Sequence, residues 1–411
     1  MKKGVYIICA LLLWSCSNDF SDFEIIDVAT PKVITKVDFR TQIESQSPKP
    51  ITDAGKIYAY NNLIFISDKL LGIHVVDNSN PSSPRPLTFL KIPGNEDMAV
   101  KDGFLYADSA VDLVVFDISN TSDIKRVEIL EDVFDNYNFQ FPFDSWSTRI
   151  DMGDYDSNTE IIVGWTFEKR IVPKAENSLV FQTFESANSN SSNGGNIGAG
   201  GSLARFQIVE NYLYTVGWHE MNIFNIANLS QPRFITTNYA GNNIETLFEA
   251  DGYLYIGSTD GMYIYGLDNP ESPNYISEFV HWTGCDPVVV DGNYAYLTIR
   301  GGNNCGNQES VLEVIDVSNK ATPTLVATYS LDNPYGLGFK NDNLFVCDGS
   351  SGLKVYKKND PLNLQLVQKF ENIQATDVIP LNNTLVMVGD NVIYQYEYAN
   401  NTITLLSTYK L

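Results

Sequence analysis

The chain has only three histidines, His74, His219 and His281, and no two of them are spaced as zinc ligands are. It has no Gly-x-Ser-x-Gly elbow, no phosphate-binding loop and no dinucleotide fingerprint. Hydrolase, nucleotide-dependent and dehydrogenase chemistry therefore lack their usual residues. No catalytic residue, cofactor or metal centre is expected, and the chain is read as a non-enzyme. Positive charge is scarce: 27 Lys and Arg stand against 50 Asp and Glu, a formal net charge of −23. Such a surface disfavours nucleic acid and anionic membrane faces; it suits a solvated exterior, neutral or cationic partners, or diffusely held divalent cations. No segment approaches the apolar length that crosses a bilayer.

What the chain does have is a repeat. Apolar alternating runs ending at Val76, Phe116, Phe224, Tyr265, Ile315, Tyr356 and Tyr396 recur at intervals of 40 to 50 residues, save one of 108. Each run sits in a unit of four short β-branched or aromatic stretches parted by Gly, Asn, Asp and Pro clusters, the pattern of strands joined by tight turns. The clearest copy runs from Tyr335 to Phe370. Four antiparallel strands in about 40 residues is the arithmetic of a propeller blade. A lone blade cannot bury both faces, so stability comes from neighbours around a ring. The expectation is an all-β, seven-bladed β-propeller of four-stranded antiparallel blades with one long insertion; a two-sheet sandwich is the alternative.

The turn after each third strand keeps its chemistry: DNSNPSSP from Asp77, DISNTSD from Asp117 and DVSNKATP from Asp316. Asn, Asp and Pro initiate such turns, and a second Pro (Pro84, Pro232, Pro273, Pro323) opens a strand that needs no donor, as on a sheet edge. Runs such as LVVFDIS from Leu113 and LEVIDVS from Leu312 resemble the LVIVD repeat of bacterial β-propeller lipoproteins. The resemblance extends from about Lys56 to the C-terminus. It implies the propeller fold and no particular reaction, since the family has no established general activity.

Residues 1–15 read as a signal peptide: Lys2 and Lys3 precede a short apolar stretch from Val5 to Trp14. Leu13-Trp14-Ser15-Cys16 resembles a bacterial lipobox, which makes Cys16 the lipidated first residue of the mature chain. Trp14 departs from the small residues usual there. Asp19, Asp22 and Glu24 resemble the surface-export tether of some outer-membrane lipoproteins. Residues 16–55 are expected to be the tether and latch strands, with FEIIDVATPKVITKVDF from Phe23 adding strands to the closing blade. The propeller then spans 56–411, with its insertion at about 135–200. That insertion is aromatic at first and Ser, Asn and Gly from Ser186 to Gly201, a linker composition. It reads either as a functional arm or as a hairpin that extends a blade edge.

Cys285 opens the fifth repeat and Cys305 lies in its lengthened loop. Both positions fall on one face of a meander, and in an exported protein they are expected to form a disulfide. Free thiols or a metal pair remain the alternative. Cys347, within a strand, reads as a small buried hydrophobe. Asp68, Asp108, Asp260, Asp348 and Asp390 recur after the second strands and read as hairpin-turn residues or, alternatively, as an acidic rim. Trp218, His219 and Arg300 break the pattern of that face and are the candidate binding residues. The functional expectation is an outer-membrane, surface-exposed lipoprotein. It would be held to the membrane by its lipid anchor and would bind or scaffold as an accessory of an outer-membrane protein complex. A glycan-binding or glycan-processing propeller is the alternative.

Overall fold

A computed structural model describes residues 23–134, 148–173, 197–281, 287–301, 309–399 and 402–410. The chain divides into two compact units, one of residues 1–36 with 139–183, the other of 37–138 with 184–411.

Among its described residues the larger unit holds seven antiparallel meanders, over residues 54–91, 98–130, 206–239, 244–280, 288–330, 337–370 and 377–410. The first strand of each meander lies against the first strand of the next, and that of the seventh lies against that of the first, closing a ring. Apolar clusters fill the spaces between consecutive sheets. The fourth strands, such as Thr324–Ser330 and Gln365–Phe370, are the most exposed. This is the burial that radial stacking of four-stranded units requires.

The recurring run owes its spacing to a bulge. In every sheet the register between third and fourth strands shifts at the run's last apolar residue, from Val76 in the first sheet to Tyr396 in the seventh. A bulge sharpens local twist, which lets the outer strand turn away from the inner ones. The turn that follows is held by its own side chains. The Asp77, Asp117 and Asp316 carboxylates accept the N–H of the Ser two residues on, at 2.9, 2.9 and 2.8 Å. The next Asn repeats the device: Asn80, Asn120 and Asn319 cap Ser82, Ser122 and Ala321 at 3.1–3.2 Å. Paired Asx turns are thus what D-x-S-N encodes. These bonds favour the charged carboxylate and pull Asp77 down to about 2, the hydroxyl and N–H of Ser79 contributing most.

Two sequence expectations are corrected. The N-terminal strand Phe23–Thr35 adds nothing to the closing sheet. It pairs along its length with Glu160–Pro173, and on its other side with Thr148–Ile150, as a separate three-stranded sheet in the smaller unit. The described part of the insertion is therefore not a hairpin on a blade edge. Among the described residues before the first sheet, only Glu44–Gln46 joins a ring sheet, at the outer edge of the first. The seventh sheet consists wholly of C-terminal strands, so the ring closes by side chains. The buried amides of Asn78 and Gln395 exchange hydrogen bonds of 3.0 and 2.7 Å across that junction. Ile57, Ile64 and Ile66 meet Ile379, Val386 and Val388 beside them.

The second correction concerns the end of the Ser, Asn and Gly stretch. Residues 197–204 are packed inside the ring. Ala199–Gly200 pairs with Tyr58 and Ala59 of the first sheet, and the Gly198 N–H donates to Val100 O of the second at 2.8 Å. Ser202 Oγ accepts the Leu337 N–H of the sixth sheet at 2.7 Å, and Ala204 O accepts that of Leu247 in the fourth at 2.9 Å. One short segment thus touches the inner strands of four sheets. Its glycines permit close approach: a Cβ at Gly201 would lie 1.9 Å from the Asp377 carboxylate. The linker composition here serves contact at the ring's axis. Ser186 to Asn196 lies outside the described residues.

Candidate binding surface

The recurring carboxylates that follow the second strands are structural. Asp68 Oδ1 accepts the N–H groups of Thr52 and Asp53 at 3.1 and 2.9 Å. Asp108 Oδ1 accepts those of Glu96 and Asp97 at 2.8 and 3.0 Å, and Asp348 Oδ1 those of Asp332 and Asn333 at 3.0 and 2.8 Å. Asp390 reaches the Gln374 N–H at 3.3 Å. Each satisfies the backbone of the linker entering its own sheet, groups that would otherwise be left unpaired near the core. Asp260 instead takes a bond from the neighbouring Thr259 hydroxyl at 3.4 Å. The hairpin-turn reading is thus corrected for Asp68, Asp108, Asp348 and Asp390, whose carboxylates bind the entering linker rather than their own turns.

A second charged group lies where the inner strands converge. Lys56 Nζ donates to Asp97 Oδ2 at 2.7 Å, and that oxygen also takes the Arg205 N–H. Arg205 Nη1 pairs with Glu96 at 2.8 Å. Burial lowers the Lys56 ammonium pKa, with Asp97 opposing. Asp377 is 1 % exposed; its Oδ1 accepts the Val378 N–H at 2.9 Å, and the Ser202 N–H also acts on the carboxylate. Burial pushes this carboxyl up to about 7, and pushes Asp108 to about 7 as well. Among the described residues no group of three or more His, Cys, Asp or Glu is placed to hold a metal ion.

Trp218 and His219, the residues that break the repeat in the third sheet, are both exposed in the turn before Glu220–Asn225. Trp218 Nε1–H donates to Asn243 Oδ1 at 2.6 Å, and His219 Nδ1 lies 3.2 Å from Gly241 O, where only a protonated Nδ1 can bond. The His219 ring contacts Trp218 at 6.3 Å between centroids and stacks on Tyr239 at 6.5 Å and 18°. Tyr239 opens a groove of about 580 Å³ between the third and fourth sheets, lined also by Tyr263, Tyr265, Tyr275, Asn238, Asn242 and Glu278. Arg300 stands apart, in the fifth sheet. Its guanidinium lies 4.2 Å over the Tyr335 ring, the linker residue whose carbonyl also accepts Thr298 Oγ1. It is half-buried between sheets and does not join the Trp218 patch.

The groove tyrosines escaped sequence reading because they sit at alternating positions in strands, as core residues do. What exposes Tyr239 and Tyr275, 66 % and 53 %, is their place on fourth strands, at the outer edge. Cys16, Cys285 and Cys305 lie outside the described residues, and the Cys285–Cys305 bond stands as a proposal. Cys347 is buried as a free thiol.

Comparison with known proteins follows the repeat. The LVIVD repeat matches four segments, residues 52–86, 95–131, 200–239 and 285–330. No curated protein sequence matches the chain. Among solved structures, a protein from Lactobacillus plantarum aligns at 12 % identity over 86 % of this chain and 96 % of its own, with a TM-score of 0.53. A functionally unknown protein from Desulfotomaculum acetoxidans aligns at 12 % over 86 % and 95 %, TM-score 0.52. The computationally designed protein Ika8 aligns at 10 % over 89 % of both chains, TM-score 0.50. At such identities these likenesses speak for fold alone. With its meanders closed in a ring and four of its segments matching the LVIVD repeat, the chain has a β-propeller fold that carries LVIVD repeats.

Proposed function

We propose that this chain is a lipid-anchored binding propeller of the outer membrane, displayed at the cell surface and accessory to an envelope protein complex. The observation that carries the non-enzymatic reading is the employment of the repeated carboxylates: they hold linker N–H groups. What remains for recognition are the side chains that depart from the repeat, Trp218 and His219, mounted on a rigid scaffold. The lipobox-like Leu13 to Cys16 supports the anchor, since several acyl chains at about 0.8 kcal/mol per buried methylene hold a protein firmly. The acidic tether after it supports outward display.

The Cys16→Ala variant tests this reading. It is expected to leave the membrane fraction and accumulate as soluble protein, whereas the parent chain stays with the outer membrane and is trimmed by protease added to intact cells. A variant that still sediments with the membrane contradicts the anchor; a parent chain protected from protease contradicts display.

A further inference from the structure

We propose that the groove between the third and fourth sheets is a binding site for a neutral oligosaccharide. The argument begins with its charge. The lining carries one carboxylate, Glu278, and no cation, so it has nothing to pair with a phosphate, a sulfate or an acidic sugar. It continues with hydrogen-bond capacity. The tyrosine hydroxyls and the amides of Asn238 and Asn242 can each donate and accept, which is the requirement set by sugar hydroxyls, themselves both donors and acceptors. A proline-rich peptide, the other usual guest of a tyrosine-lined groove, presents chiefly carbonyl acceptors and would leave Glu278 unmatched.

The ring faces supply the rest. Tyr239 and Tyr275 offer exposed faces for the apolar side of a pyranose, and the strip Trp218–His219–Tyr239 continues the aromatic surface beyond the groove. The site is also preorganised. Tyr239 Oη donates to Asn242 Oδ1 at 3.0 Å, and the Asn242 N–H donates to Tyr263 Oη at 3.3 Å. Gly241 permits this, since a Cβ there would lie 2.4 Å from the Tyr263 ring. Its volume, about 580 Å³, is that of a ligand pocket. The proposal does not depend on the lipid anchor and adds a ligand class to the binding role.

The test is a panel of neutral, acidic and basic oligosaccharides together with a polyproline peptide, titrated by calorimetry onto the full chain in detergent. At least one neutral oligosaccharide is expected to bind. Tyr239→Ala and Tyr275→Ala should each weaken it by about tenfold or more, the loss typical of a central aromatic contact. Both positions are exposed, so the variants should keep the parent's melting temperature; Tyr239→Phe, which retains the ring, should recover most of the affinity. The proposal is overturned if no neutral oligosaccharide binds, if binding ignores both tyrosines, or if only the peptide or acidic glycans compete for the groove.

Discussion

Replacing Arg40 with alanine is expected to lower the stability of the ring unit by about 3–5 kcal/mol, the cost of stranding a buried charge. Arg40 closes the short helix Lys36–Arg40 and forms a two-pronged pair with Asp112, both contacts at 2.8 Å. The Asp112 side chain is 0 % exposed and that of Arg40 only 13 %. Removing the guanidinium leaves the Asp112 carboxylate with the Asp132 N–H at 2.9 Å but, among the described residues, without the cation that pairs with it. The Arg126 guanidinium, bonded to the carbonyls of Arg40 and Ile43, shows that the same turn is pinned onto the second sheet. Chemical denaturation should show the drop, and Arg40→Ala combined with Asp112→Asn should recover part of it. An unchanged denaturation midpoint in Arg40→Ala would mean that the pair contributes nothing.

The second large effect depends on pH. Asp377 has its carboxyl pushed up from 3.8 to about 7, by burial first, with the Val378 N–H and the Lys56 cation opposing and Asp97 adding to the rise. Cys347 also lies close enough to feel its charge. A raised carboxyl binds its proton more tightly in the folded chain than in the unfolded one. Its contribution is therefore most favourable below about pH 4 and is lost as pH rises towards 7. At pH 8 the buried charge costs about 4 kcal/mol, taking roughly 1.4 kcal/mol per unit. Asp377→Asn, which cannot ionise, should be more stable than the parent at pH 8 and no more stable at pH 4. If the two chains keep a constant difference across that range, the Asp377 carboxyl does not titrate there.

The ring was legible in the sequence because a radial stack forces each sheet to solve one problem in one way. The bulge residue, the Asx turns after Asp77, Asp117 and Asp316, and the Pro just before the outer strand recur in register. What was not legible depended on partners remote in sequence. The strand Phe23–Thr35 has the look of two outer strands, and nothing local says that its neighbour is Glu160–Pro173. Gly198 to Gly201 reads as linker because small residues suit both flexibility and close packing; only the facing Asp377 and Tyr58 decide between them. Of the candidate site, Trp218 and His219 stood out as departures from the repeat. Tyr239 and Tyr275 did not, since alternation alone cannot tell an inner strand from an outer one.

The role we propose for this propeller is to hold an envelope partner at the membrane. The direct measurement is mild detergent extraction of the native outer membrane, affinity isolation of the full chain, and determination of the mass and composition of what emerges. The account predicts a stoichiometric outer-membrane protein retained with the chain and lost in high detergent. A chain that emerges alone, at the mass of its own polypeptide and lipid, would contradict it.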